Sequence, residues 1–361
     1  MGTFPKPVPS YESISRGVKD AAAAIADGQP RAKPPTILDL AAHAGVSKTT
    51  VSRVLNGAPS VAPAIRSRVL DAVGELGFQV NVSARALRTS RTELVGLLVP
   101  VISIFGLIVE ALDEQLANDG FSILLTSSRR TDPGRDIASI ETLVSRGVDA
   151  LVIAPSDDRS RQLKLFLQGI RTPVVLLDRE VRGLKADAVL IDQEPGIAGA
   201  VDYLAANGRS RIGLLVRDGR TRSAREIRRS YERQLERHGL PLNDAFVAEF
   251  PDLDHQAGQI GVQRLLDAGV DGLISTGTME HTASVLEQLG TLQVAVPQDL
   301  SLVIYGHTAA ASTGVGRLPM VAYPVHEIAR AVRTLLAPRL ARAPAPARVE
   351  MVKTVFVGPR G

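Results

Sequence analysis

Residues 36–57 carry two short apolar stripes at helical spacing, and a single glycine separates the two stripes. The first stripe follows the i, i+3, i+4, i+7 pattern of one helical face and consists of Ile37, Leu40, Ala41 and Ala44. Gly45 readily adopts the positive φ that ends a helix, and Ser47 is a good N-cap for a second helix. Two helices joined by so short a glycine turn are predicted to form a helix-turn-helix hairpin.

The second predicted helix turns Val51, Val54 and Leu55 inward, which leaves its polar residues on one outward face. When such a hairpin binds DNA, its second helix enters the major groove with its N-terminal residues at the base edges. Arg53 is then expected to donate two hydrogen bonds to guanine O6 and N7. The predicted DNA-contacting residues of this segment are Ser47, Lys48, Thr49, Thr50, Ser52, Arg53 and Asn56. The alternative is an ordinary surface hairpin whose charged face is solvated.

A third helix is predicted from Pro63 to Leu76, with proline in its first turn and Gly77 at its end.

Positive charge is concentrated around these helices and the segment that follows them. Residues 31–91 hold nine Lys/Arg against three Asp/Glu, whereas the whole chain has a net charge of +4. Electrostatic attraction to DNA phosphates requires this kind of local basic surface.

Four motifs resemble, in order and spacing, those of the lactose/galactose-repressor (LacI/GalR) family of transcription factors. The motifs are AGVSKTTVSRVLNG at residues 44–57, LGFQVN at 76–81, ARALR at 84–88 and VGLLVP at 95–100. Weaker similarity continues to about Gly358. The resemblance implies a homodimeric repressor, with activation left open, that binds a pseudo-palindromic operator in double-stranded DNA.

The resemblance also assigns a role to residues 81–92, a linker without negative charge. In the family this linker folds into a hinge helix on specific DNA, where a leucine wedges a minor-groove base step open. Here Leu87 holds that position, and Arg88 after it supplies a cation for the phosphates. The implied minor-groove residues are Asn81, Ala84, Arg85, Leu87 and Arg88. The alternative for Leu87 is a linker residue that packs on the core.

From residue 93 the apolar pattern changes to short runs that alternate with helical stretches. The first set of runs lies at residues 94–99, 121–125, 150–154, 174–177 and 189–191, and a second set starts at 211–216. This alternation predicts parallel sheets that are covered on both faces, in two Rossmann-like lobes. The resemblance implies a periplasmic-binding-protein-like architecture with three strand crossovers, near residues 192–194, 308–314 and 323–324. A last strand is predicted within residues 349–357.

The predicted fold class is an N-terminal all-α helix-turn-helix domain followed by an α/β core of two Rossmann-like lobes. Residues 1–35 are rich in proline and alanine and are predicted to be a disordered tail. The helix-turn-helix domain is predicted at residues 36–80 and the hinge helix or linker at 81–92. Residues 93–361 are predicted to be the core that binds an effector and forms the dimer.

Members of the family usually bind a sugar or a purine between the lobes, but this chain departs from the family at several recognition positions. Ile227 stands where the family has an arginine, and Gly277 and Thr278 stand where it has Asn-Asp. Each buried sugar hydroxyl that loses its partner costs roughly 1–3 kcal/mol. We therefore expect a small-molecule effector that is not an ordinary sugar, or no effector. The candidate pocket residues are Asp178, Asp192, Ser223, Arg225, Tyr305 and His307.

Some of these polar residues have a second interpretation. The carboxylates of Asp178 and Asp192 follow predicted strands, where they would serve equally well in strand-end capping or turn bonding. Arg225 belongs to a basic run with Arg220, Arg222, Arg228 and Arg229. Such a run is typical of a solvated helix face, although it could also face an anionic ligand.

Several functional classes are excluded by what the chain lacks. It has no cysteine, so disulfides, thiol catalysis and cysteine-rich zinc sites are excluded, and a reducing cytoplasm is the expected location. There is no apolar run long enough for a transmembrane helix, no signal peptide, no phosphate-binding loop and no metal-ligand spacing among the six histidines. We therefore predict no enzyme activity, no cofactor, no bound metal and no membrane partner. Two alternatives stay open: an effector-independent or architectural DNA-binding protein whose core only dimerises, and a small-molecule-binding or enzymatic α/β protein.

Overall fold

The computed structural model describes residues 35–55, 58, 60–78, 91–128, 133–251, 254–307 and 318–359. The chain divides into two compact units, residues 1–82 and residues 83–361. None of the helices in the described ranges is both long and apolar enough to cross a membrane.

The described part of the first unit contains three helices: α1 (Ile37–Ala44), α2 (Lys48–Leu55) and α3 (Pro63–Leu76). Thr36 begins α1 with a capping box, in which its side chain accepts from the Asp39 amide while the Asp39 carboxylate accepts from the Thr36 amide. Gly45 and Gly77 end α1 and α3 in the left-handed conformation, with φ of +60° and +59°. Helical spacing and glycine position therefore predicted these three helices correctly.

A small apolar core holds the three helices together. Its buried residues are Leu40, Ala41, Ala44, Val51, Val54, Val69 and Ala72. Two polar contacts add to this packing, because the Arg68 guanidinium donates to the Gly45 carbonyl over 3.1 Å and the His43 ring lies 2.6 Å from the Glu75 carboxylate. With so few buried side chains, each of them contributes a large share of the unit's stability.

The second unit contains two α/β lobes, each built on a six-stranded sheet. The first sheet has the order β11-β5-β4-β3-β1-β2 and is wholly parallel. Its strands are β1 (Leu94–Val99), β2 (Ser122–Ser127), β3 (Ala150–Ile153), β4 (Val174–Leu177), β5 (Asp187–Asp192) and β11 (Val349–Lys353). The helices of this lobe are α4 (Ile102–Asn118), α5 (Pro133–Ser145), α6 (Arg161–Gly169) and the returning α11 (Val325–Leu340).

The second sheet has the order β12-β10-β9-β8-β6-β7, and only the short β12 runs antiparallel to its neighbour. Its strands are β6 (Ile212–Arg217), β7 (Val247–Phe250), β8 (Gly272–Ser275), β9 (Ser301–His307), β10 (Met320–Tyr323) and β12 (Val355–Val357). The helices of this lobe are α7 (Glu194–Ala206), α8 (Arg222–Arg237), α9 (His255–Asp267) and α10 (Met279–Thr291), with a 3-10 turn at Asp244–Phe246. The predicted fold class is confirmed.

The chain crosses between the lobes at three places, of which two were predicted. It leaves the first lobe between β5 and α7, near residue 193, and returns between β10 and α11, near residue 324. The crossover predicted at residues 308–314 is wrong, because β9 and β10 on either side of it pair in the same sheet. The third crossover is Thr354, which splits the predicted last strand into β11 in one sheet and β12 in the other.

Thr354 is buried and fixes two of the crossovers to each other. Its amide donates to the carbonyl of Asp192 over 3.0 Å, and its hydroxyl accepts from the Gly196 amide over 3.2 Å.

His281, in the first turn of α10, is fully buried in the second lobe. Its Nδ1 lies 3.2 Å from the Asp254 carbonyl, and its Nε2 has no hydrogen-bond partner among the described residues. Burial lowers the pKa of His281 below its ordinary value of 6.5, although the Asp254 carbonyl opposes this shift. The ring is therefore neutral in the folded protein at neutral pH.

This burial predicts a pH-dependent loss of stability. The unfolded chain protonates His281 near pH 6.5 but the folded chain does so only at lower pH, so the free energy of unfolding should fall as pH drops below 6.5. Urea denaturation at about pH 7.5 and about pH 5.5 measures this change. His281→Gln should weaken the pH dependence, whereas His326→Gln, at an exposed position, should leave it intact. Equal pH dependence in His281→Gln and wild type would contradict the assignment.

Candidate DNA-binding surface and inter-lobe cleft

The outward face of α2 is the candidate DNA-binding surface. Ser47 caps the helix, since its Oγ accepts from the Thr50 amide over 3.1 Å. Val51 and Val54 are buried against α1 and α3, so the remaining side chains turn outward. Of the predicted contact residues, Ser47, Lys48, Thr49 and Arg53 are exposed, while Thr50 and Ser52 are half-buried.

The hydroxyl of Thr50 is less available than that of Thr49, because it lies 2.9 Å from the capping Ser47 Oγ. Thr49 and Arg53, in contrast, are exposed on the outward face of α2. The predicted contact Asn56 lies outside the described residues. So do the implied hinge residues Asn81, Ala84, Arg85, Leu87 and Arg88.

A second candidate site lies in the second unit, where the two lobes meet at the carboxyl ends of their strands. A cavity of about 70 Å³ lies there, between Phe105, Asp178 and Arg179 of the first lobe and Ser223, Ile227 and Tyr305 of the second. Binding pockets for drug-sized ligands usually measure about 300–1,000 Å³. The cleft in this arrangement is therefore almost filled by the protein's own side chains.

Asp178 directly follows β4 and is a bridge between the lobes. Its Oδ2 accepts a 3.0 Å hydrogen bond from Ser223 Oγ on α8 of the second lobe. The Arg179 guanidinium lies 4.0 Å from the same oxygen, and both residues are buried. Burial raises the pKa of the Asp178 carboxyl, while Arg179 opposes the shift. The structure thus brings two of the predicted pocket residues, Asp178 and Ser223, into direct contact.

Arg225, on the same helix as Ser223, also bonds to the first lobe. Its guanidinium donates to both carboxylate oxygens of Asp158 over 3.2 Å and to the Gly219 carbonyl over 2.9 Å. The Asp158 carboxylate also accepts from the Arg222 amide at the start of α8. Asp158 was not predicted, because an Asp-Asp pair in a loop after a strand is usually solvated. Its position in the loop between β3 and α6, which faces the cleft in a two-lobed fold, was the available signal.

The other predicted pocket residues have different surroundings. Asp192 accepts from the Glu194 amide over 3.1 Å at the start of α7, which is the turn-bonding alternative considered for it. Tyr305 is buried against Tyr323, with ring centroids 5.8 Å apart, and its hydroxyl donates to Gln193 Oε1 over 3.3 Å. His307 ends β9, but its side chain lies outside the described part of the chain.

The arginines of the basic run have different surroundings. Arg222 and Arg225 face the first lobe, since Arg222 Nη1 donates to the Ile191 carbonyl over 3.2 Å in addition to the Arg225 contacts. Arg228, in contrast, pairs on the surface with Glu232, Asp244 and Glu249. Among the residues that the structure describes, no group of three or more His, Asp or Glu side chains could hold a metal ion.

Three family models match the chain. Residues 36–81 match "Bacterial regulatory proteins, lacI family". Residues 92–269 match "Periplasmic binding proteins and sugar binding domain of LacI family", and residues 201–360 match "Periplasmic binding protein-like domain". Together these matches extend over both units.

Similar proteins are transcriptional regulators rather than enzymes, which confirms the prediction that the chain is not an enzyme. The HTH-type transcriptional regulator DegA of Bacillus subtilis (strain 168) is 26% identical over 297 residues, which cover 81% of this chain and 88% of DegA. The HTH-type transcriptional regulator GalR of Salmonella typhimurium (strain LT2) is 29% identical over 314 residues, or 86% of this chain and 91% of GalR.

Solved structures with the same fold include a Lac repressor dimer bound to operator and an anti-inducer. Its TM-score is 0.76 at 21% identity, and the match covers 91% of this chain and 98% of that chain. The transcriptional regulator CelR in complex with cellobiose has a TM-score of 0.66 at 24% identity, with 90% and 99% covered. At these identities the likeness is one of fold.

Proposed function

The chain belongs to the lacI family of bacterial regulatory proteins, and from this premise we propose that it is a repressor that binds operator DNA as a homodimer. It is a DNA-binding transcriptional regulator. The observation that carries the proposal is the outward face of α2, on which Lys48, Thr49 and Arg53 are exposed beside the capped N-terminus of the helix. A helix N-terminus and exposed cations are the groups that bind phosphates and base edges.

The proposed complex has two-fold symmetry. One helix-turn-helix reads a short half-site, so two copies on a pseudo-palindromic operator multiply the affinity. In our proposal residues 36–80 read the half-site and residues 81–92 order as hinge helices in the minor groove, with Leu87 as the wedge. Residues 93–361 then form the dimer and set the distance between the hinges.

Selection of bound sites from random duplex DNA by the full-length protein tests this proposal. The expected result is an inverted repeat, bound in a gel shift with an affinity that falls steeply with salt. Recovery of unrelated sequences, or binding at a single half-site by one subunit, would contradict the proposed symmetric complex.

We further propose that the effector, if the protein uses one, is not an ordinary sugar. The inter-lobe cavity of about 70 Å³ is far smaller than a usual ligand pocket, and Ile227 lines it at the position where the family has an arginine. Isothermal titration of the full-length protein with common hexoses and pentoses should give no saturable heat. Micromolar binding of any of them would overturn this part of the proposal.

A regulator that binds DNA without an effector is a second candidate. The direct bridges Asp178–Ser223 and Asp158–Arg225 favour it, because they hold the lobes together without a third molecule. A metabolite screen for release of the selected DNA separates the two candidates. Release by any compound supports effector control, whereas retention throughout supports the effector-independent protein.

A further inference from the structure

The first turn of α8 is built to bind a carboxylate. Thr221 caps the helix by accepting from the Ala224 amide over 3.4 Å, and the neighbouring Arg222 amide is left to donate to Asp158. Arg225, one turn into the helix, adds a guanidinium fork. A helix N-terminus together with a bidentate arginine is a strong receptor for a carboxylate.

The carboxylate that occupies this receptor comes from the other lobe. The Asp158 residue is 1% exposed, and its carbonyl accepts from the Arg182 amide over 3.0 Å, which holds the loop against the first lobe. The adjacent Asp157 turns instead to its own loop, where it accepts from the Arg159 amide over 2.8 Å. The Asp158 side chain is therefore presented across the cleft from a fixed loop.

The cleft beside this contact offers more polar atoms than the protein itself satisfies. Arg179 Nε and Asp178 Oδ1 are buried and have no hydrogen-bond partner among the described residues. Both residues line the cavity of about 70 Å³ next to Ser223. The unsatisfied Arg179 nitrogen favours a ligand with an anionic acceptor such as a carboxylate, and the unsatisfied Asp178 oxygen favours a donor group on the same ligand.

We propose that Asp158 is an internal ligand of the cleft, and that the effector is a small carboxylate which takes its place on the Arg222 amide and Arg225. The inference rests on the proposed function, because it assigns the bridged arrangement of the lobes to the DNA-binding state. An effector that displaces Asp158 removes one of the direct bridges between the lobes and changes the lobe arrangement. The coupling free energy between effector and DNA then equals the difference between the effector's binding free energies for the two lobe arrangements.

Chemical rescue tests the site in the full-length protein. Asp158→Ala removes the internal carboxylate and leaves the receptor on α8 in place. Formate or acetate should then raise the melting temperature of this variant saturably, above the effect of chloride at the same ionic strength. Wild type and the matched control Asp157→Ala should need a far higher formate concentration for the same rise, since Asp158 competes for the receptor in both.

DNA binding tests the coupling. Asp158→Ala should bind the selected operator about tenfold more weakly than wild type, within the usual range of allosteric coupling. Formate should not restore this affinity, because free formate fills the receptor without linking it to the first lobe. If Asp158→Ala does not fold, Asp158→Asn keeps the side-chain volume and one acceptor oxygen. This variant should also bind the operator more weakly, and formate should raise its melting temperature less than that of Asp158→Ala, because the amide side chain still occupies the receptor.

Two results would overturn the inference. One is an Asp158→Ala protein that responds to formate no more than to chloride. The other is an Asp158→Ala or Asp158→Asn protein with wild-type operator affinity. Failure of wild type to select any DNA is a different result, because it overturns the proposed function, whereas the melting-temperature rescue would still report on the site itself.

Discussion

Leu40→Ala should unfold the N-terminal unit and abolish DNA binding while the two-lobed core stays folded. Leu40 is 0% exposed and belongs to the core that joins α1, α2 and α3. Truncation of a buried leucine to alanine costs about 2–5 kcal/mol. A unit of this size has a total stability of only about 2–6 kcal/mol, at roughly 0.05–0.15 kcal/mol per residue. The substitution therefore removes most or all of the stability of the unit.

Hydrogen exchange of the full-length protein measures the effect on each unit separately. Amides of α1, α2 and α3 should lose protection in Leu40→Ala, and amides of the central strands of both sheets should keep it. The matched control is Leu38→Ala, since Leu38 lies on the same helix but is 62% exposed. This control should retain both protection and DNA binding. A Leu40→Ala protein with wild-type affinity for its operator at 25 °C would contradict the predicted dependence on this core.

Arg53→Ala should remove most of the sequence preference without unfolding the protein. Arg53 is exposed on the outward face of α2, and truncation there leaves the buried Val51 and Val54 unchanged. One bidentate contact to guanine contributes about 1–3 kcal/mol of discrimination. Two copies in a dimer contribute about 2–6 kcal/mol, which corresponds to a roughly 30-fold to 20,000-fold loss of operator affinity.

The measurement compares the selected operator with a scrambled duplex at one salt concentration. Affinity for the operator should fall toward that for the scrambled duplex, while affinity for the scrambled duplex falls far less, because it depends on phosphate contacts. The control is Arg171→Ala, because Arg171 is exposed on the surface of the two-lobed unit. Its loss should leave the ratio of operator affinity to scrambled-duplex affinity unchanged. An unchanged ratio in Arg53→Ala would show that another residue reads the bases.

The spacing of apolar residues and glycines was sufficient to predict features that depend only on residues close together in the sequence. Helical spacing and the ability of glycine to adopt positive φ predicted the three helices of the first unit and the ends of α1 and α3. Short apolar runs predicted the central strands of both lobes, because strands buried on both faces must be apolar throughout. The family resemblance supplied what periodicity lacks, namely where the chain crosses between the lobes, and two of its three crossovers were placed correctly.

Features that depend on distant parts of the chain were missed or misplaced. The last strand was predicted as one element, yet Thr354 divides it between two sheets, because pairing with β5 and β10 rather than local pattern decides where each half goes. Asp158 was missed for the same reason, since its partner Arg225 lies 67 residues further along the chain.

By itself the sequence determined which segments are helices or strands, where the positive charge is concentrated and which face of α2 is polar. Spacing, glycine conformation and side-chain charge are local properties, so they can be deduced from the order of residues alone. Only the tertiary structure decided that the cleft is almost filled and that Asp158 faces the N-terminus of α8. A carboxylate in a loop can be hydrated by water or paired with an arginine in the protein interior. Which of the two occurs depends on how the two lobes meet.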